Sequence, residues 1–124
     1  MVGCQPDEHA TNVINIENAG DLNNERVVLQ ADIDTNIGRY VLLRARTAPD
    51  NKVYSGPIPS AFWFDTITVK ASAFVVLYSK GGLRSQKAGD NGIESHFFYW
   101  ALTSPAWTPA FKPVLIQAFN WEWK

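Results

Sequence analysis

Apolar residues along this chain recur at alternate positions or in short runs, and turn-forming residues separate the runs. That pattern predicts strands. Residues 12–17, with Val13, Ile14 and Ile16, are predicted as a first strand, and Asn18-Ala19-Gly20-Asp21 supplies turn chemistry after it. Over residues 25–33 the period is clearer: Val27, Leu29, Ala31 and Ile33 share one face, opposite Arg26, Gln30 and Asp32 together with Val28. Residues 38–47 continue in the same style and suggest a meander, with Arg39, Val41, Leu43 and Ala45 on a mostly apolar face and Tyr40, Leu42, Arg44 and Arg46 on the other. Phe62, Trp63, Phe64, Ile67 and Val69 mark residues 62–69 as one strand. The continuous run Phe74-Val75-Val76-Leu77-Tyr78 has the composition of a central strand covered on both faces.

Between and beyond these runs, Pro57 and Pro59 predict an extended loop. Residues 79–95 form the longest polar stretch, with Gly81, Gly82, Gly89 and Gly92, and are predicted as a mobile loop of the kind that carries function on a rigid sheet. His96 opens a further strand through Phe97, Phe98, Tyr99 and Trp100, after which Pro105, Pro109 and Pro113 forbid a long helix. The last segment, residues 114–123, is predicted as a strand with Leu115, Gln117, Phe119, Trp121 and Trp123 on one face, a short helix being the alternative. About seven short strands and no strong amphipathic helix give an all-β domain, a β-sandwich, with a small β-barrel as the alternative. Residues 1–11 are expected to be a flexible N-terminus and residues 12–124 a single domain.

Composition narrows the function classes. The chain has 124 residues, 46% hydrophobic and 19% charged, which suits one ordered domain with its own core. A net charge of −1 provides no field to attract a polyanion, so no nucleic-acid partner is expected. No apolar run approaches the roughly 20 residues that span a bilayer, so membrane insertion is not expected either. The single cysteine, Cys4, excludes an internal disulfide framework and suits a reducing cytoplasm. Val2-Gly3-Cys4 also resembles the end of a bacterial lipoprotein cleavage site, so the chain would be secreted or lipid-anchored had an upstream signal been removed.

No nucleophile-elbow, phosphate-loop or zinc-protease signature occurs, and no metal or cofactor is expected. Lys80-Gly81-Gly82-Leu83-Arg84 is glycine-rich and basic, compatible with an anion cradle or with a flexible hairpin loop. His96 follows a loop bearing Asp90 and Glu94, and a carboxylate there would orient the imidazole as a general base; a rim histidine at a strand start is the plainer reading. Five tryptophans, Trp63, Trp100, Trp107, Trp121 and Trp123, are many for a chain this short; some must be core, and core packing is the first reading for Trp107, Trp121 and Trp123 as well. Trp107, Trp121 and Trp123 are candidates for a dimer interface or a sugar-stacking platform, joined by Lys80, Arg84 and Lys87 from the polar loop. The alternative is an aromatic pocket lined by Trp63, Phe98 and Trp100 with His96 as its acid or base, in a small-molecule or carbohydrate binder or a small enzyme.

The segment Asn24-Glu25-Arg26-Val27-Val28-Leu29-Gln30, followed by Asp34-Thr35-Asn36-Ile37-Gly38-Arg39-Tyr40-Val41-Leu42, resembles the start of lamin-tail domains. The likeness continues through Phe64, Ile67, Val69 and Lys70 to Ala73-Phe74-Val75-Val76-Leu77-Tyr78, with Ser72 where that family has glycine. It covers about residues 12–80, and the Trp- and Pro-rich remainder departs from the family. What the resemblance implies is an immunoglobulin-like sandwich serving as a binding or scaffold module, in bacterial extracellular proteins among others, without catalysis. The expected function is therefore a noncatalytic interaction module, self-associating or bound to another protein.

Overall fold

The computed structural model describes residues 10–124, so the cysteine, His9 and most of the expected flexible N-terminus lie outside the described residues. In chain order the strands are β1 (Thr11–Glu17), β2 (Arg26–Ala31), β3 (Thr35–Asn36), β4 (Tyr40–Arg46), β5 (Ser60–Trp63), β6 (Thr68–Val69), β7 (Phe74–Tyr78), β8 (Ser85–Ala88), β9 (Glu94–Tyr99) and β10 (Phe111–Gln117). A three-residue 3-10 helix, Ile37–Arg39, leads into β4. The strands form a five-stranded sheet ordered β1-β2-β7-β9-β8, a three-stranded sheet ordered β10-β4-β5 and a two-stranded ribbon of β3 and β6. The larger sheets pack as a sandwich, and neither closes into a barrel. Among the described residues no helix is long and apolar enough to cross a membrane.

The alternation in β2 does what its period demands: Val27, Leu29 and Ala31 are buried, while Arg26, Val28 and Gln30 turn to the half-buried outer side. β7 is a central strand, paired antiparallel with β2 and parallel with β9, and Val75, Val76 and Leu77 are all buried. Tyr40 and Leu42 of β4 close the core from the opposite sheet, with Phe62 and Leu115 packed against it. Phe62, Phe64 and Phe98 lock the layers through edge-to-face contacts with ring centroids 5.0 to 6.4 Å apart.

Several sequence expectations are corrected. The inward face of β4 carries Tyr40, Leu42 and Arg44, the reverse of the expected assignment. Both faces of this strand are apolar at its start, so composition could not choose between them. Arg44 is tolerated inside because it lies at the sandwich end, where its Nε donates to the Ala106 carbonyl at 2.9 Å and its guanidinium stacks 3.6 Å from the Phe111 ring centre. The meander is absent, since the chain crosses from one sheet to the other between β2 and β4. Residues 62–69 split into β5 and β6 around Asp65 and Thr66.

The polar stretch after β7 is partly ordered as the β8–β9 hairpin. All four β8 residues are exposed at a sheet edge, so no apolar alternation announces the strand. β10 begins earlier than expected and accommodates Pro113, as an edge strand can, but ends at Gln117, so Trp121 and Trp123 stand beyond it. Ser72 adopts φ = 71°, a left-handed conformation that glycine adopts without strain.

Candidate functional site

Reversing β4 turns an apolar face outward. Across the outer side of the three-stranded sheet, Ile116, Val41 and Trp63 lie in one cross-strand row and Val114, Leu43 and Ala61 in the next. Such rows are normally covered, yet Ile116 is 44% and Trp63 53% exposed. Trp63 is held by its indole Nε1, which donates to the Gly38 carbonyl at 2.6 Å. After β10, Ala118 N–H donates to the Arg39 carbonyl, and the chain returns Trp121 onto Trp63 edge-to-face at 5.4 Å. Phe119, Trp121 and Trp123 remain 65%, 51% and 87% exposed, so the tail is an aromatic surface rather than core.

A second feature lies at the other end of β10. Ile16, Ala19, Gly20, Trp107, Thr108, Pro109 and Phe111 line an open, mostly apolar cleft of about 430 Å³. Its walls come from distant parts of the chain, and two of them, at Gly20 and beside Trp107, are tied together by one buried side chain outside the lining, Glu25. Gly20 N–H donates to Oε1 at 2.9 Å and Ala106 N–H to Oε2 at 2.7 Å, and the Ser79 hydroxyl also donates to Oε2. A buried carboxylate is tolerable where donors replace its water, and here those donors tie the β1–β2 turn, the end of β7 and the loop before β10 together. Arg44 and Arg46 bring guanidinium groups to within 3.6 and 5.7 Å of the Phe111 ring centre at this cleft.

The sequence candidates divide between surface and core. Trp121 and Trp123 are on the exposed tail, but Trp107 is 2% exposed and packs beside Trp100, so it belongs to the core and contributes only an edge to the cleft. Lys80 lies over the Tyr78 ring at 5.2 Å, Arg84 pairs with Asp65 at 3.2 Å and Lys87 stands on the β8 edge. Among the described residues none of the three stacks on a tail tryptophan.

The proposed pocket of Trp63, His96, Phe98 and Trp100 is also divided. Phe98 is buried between the sheets while Trp63 faces outward across the three-stranded sheet, so the two cannot line one cavity. Glu94 does meet His96, with Oε2 3.1 Å from Nε2, but the histidine is 3% exposed on the inner face. That pairing orients the ring without giving it solvent access. Among the described residues no group of three or more His, Cys, Asp or Glu side chains is placed to hold a metal ion.

The glycine-rich turn has a packing purpose. A Cβ on Gly82 would stand 2.6 Å from Cδ2 of Tyr99, whose ring stacks on Tyr78 at 5.3 Å and 11°. The loop crosses that ring closely because Gly82 has no side chain. Gly82→Ala is expected to push the loop off the tyrosine pair and cost about 1–3 kcal/mol, read by urea unfolding with a weakened near-ultraviolet tyrosine signal. An unchanged midpoint would mean that the loop has slack.

Sequence reasoning missed the cleft and its organiser. Glu25 reads locally as a polar residue before a strand, and its distant donors, Ser79 and Ala106, leave no periodic trace. Comparison with family models, curated proteins and solved structures returns no match to this chain.

Proposed function

We propose that this domain is a noncatalytic, lamin-tail-like interaction module that associates with a second copy of itself through its C-terminal aromatics. The observation that carries the reading is the tail itself: Trp121 braced on Trp63, with Phe119 and Trp123 still largely exposed. Large exposed aromatics are characteristic anchors of protein interfaces, where rigid rings bury much area at small entropic cost. The sugar-platform alternative is less favoured, because Trp63 and Trp121 meet at 88° and do not present one continuous flat surface. An acid–base role for His96 needs reach to a substrate, which its burial withholds.

Sedimentation equilibrium of the wild type beside the Trp121→Ala, Trp123→Ala double variant tests the proposal. The wild type is expected to associate with concentration. The variant, with an unchanged unfolding midpoint apart from the lost Trp63 contact, is expected to remain monomeric at protein concentrations at least about 30-fold higher, the factor for one anchor worth 2 kcal/mol. A wild type that is monomeric throughout would overturn self-association.

A further inference from the structure

We infer that the partner of the tail is the cleft: Glu122 and Trp123 of one copy dock between Gly20, Trp107 and Phe111 of the next, so that copies join head to tail. This rests on the self-association proposed above and specifies its geometry.

Chemistry matches tail to cleft. The cleft is mostly apolar, and its volume of about 430 Å³ lies in the range of pockets that take small organic groups, so an indole is a suitable occupant. Phe111 offers an aromatic wall, and Trp107 an edge, to Trp123, the most exposed of the five tryptophans. The cleft edge is cationic, because Arg44 and Arg46 flank Phe111, and among the described residues neither has a carboxylate within ion-pair distance. Glu122, next to Trp123 in sequence, supplies the complementary charge.

Geometry requires the occupant to come from another molecule. The cleft adjoins Phe111, the first residue of β10, whereas the tail departs after Gln117, its last. Six steps at about 3.3 Å put these ends roughly 20 Å apart. Trp121 is pinned to Trp63, which shares a cross-strand row with Ile116 at the tail end. Trp123 follows only two residues later, a reach of about 7 Å, so a chain holding this contact cannot fill its own cleft. The resulting interface joins unlike surfaces, leaves one free cleft and one free tail after each addition, and therefore extends unless a ring closes.

Complementation tests this arrangement. Trp123→Ala removes the tail anchor, and Ala19→Trp fills the cleft from an exposed turn position. Each variant alone is expected to associate at least about 30-fold more weakly than wild type in sedimentation. Mixed in equal amounts, they are expected to form a dimer that does not grow, since only one intact tail meets one intact cleft. A mixture that stays monomeric, or an Ala19→Trp variant that associates like wild type, would overturn the head-to-tail mode. The second result, with Trp123→Ala still weakened, leaves the self-association proposal standing. A fold-independent check is the charge exchange: Arg46→Glu is expected to weaken association, and adding Glu122→Arg in the same chain to restore it. Failure of that rescue also counts against the docking.

Discussion

Glu25→Ala is expected to cost at least about 4 kcal/mol, a large part of the total of about 5–15 kcal/mol by which domains are stable. The side chain is fully buried and accepts from Gly20, Ser79 and Ala106. Truncation strands those three donors where water is poorly admitted, at about 1–3 kcal/mol each. Glu25→Gln preserves the volume and one acceptor oxygen but turns an amide donor toward groups that are themselves donors, so it should recover only part of the loss. Urea unfolding followed by tryptophan fluorescence gives both values. Since Gly20 and Ala106 are held by this one carboxylate, the Gln variant should also associate more weakly while still folded. Alanine and glutamine variants both within about 1 kcal/mol of wild type would show that the three hydrogen bonds do not organise this end of the sandwich.

Trp107→Ala is expected to destabilise by about 3–5 kcal/mol, the cost of a large cavity in a packed core. Trp107→Phe should lose less than about 2 kcal/mol. It removes part of the ring, but it also removes an indole Nε1 that is buried without a hydrogen-bond partner among the described residues, and relief of such a group is worth about 1–3 kcal/mol. The informative comparison is Trp123→Ala, which should stay within about 0.5 kcal/mol of wild type because that side chain is almost fully exposed. Two tryptophans from one Trp- and Pro-rich segment are thus expected to separate cleanly into a stability residue and an association residue. Equal, small effects from both alanine variants would mean that Trp107 is not the core residue its burial indicates.

The surface proposed for association is only half legible from sequence. Trp121 and Trp123 were identifiable because five tryptophans crowd a short chain and two stand near its end. Their brace, Trp63, reads from sequence as a pocket residue, because composition marks an aromatic residue without saying which side of a sheet it faces. His96 shows the converse: the carboxylate partner foreseen among its neighbours is real, at Glu94, but burial makes the pair internal.

What the sequence by itself determined is the all-β class, the inward face of β2 and the central place of β7, because a two-residue period and an uninterrupted apolar run each have one favourable solution in a sandwich. Tertiary structure decided the rest. β4 is apolar on both faces at its start, and its orientation depended on which face met Phe62, Leu115 and the opposite sheet. β8 is polar throughout and became a strand only by pairing with β9. The cleft depended on Glu25 meeting the Ser79 hydroxyl and the Ala106 amide, groups brought together only when both layers fold. Periodicity reports what one segment requires of its surroundings; which distant segment meets that requirement is settled by packing.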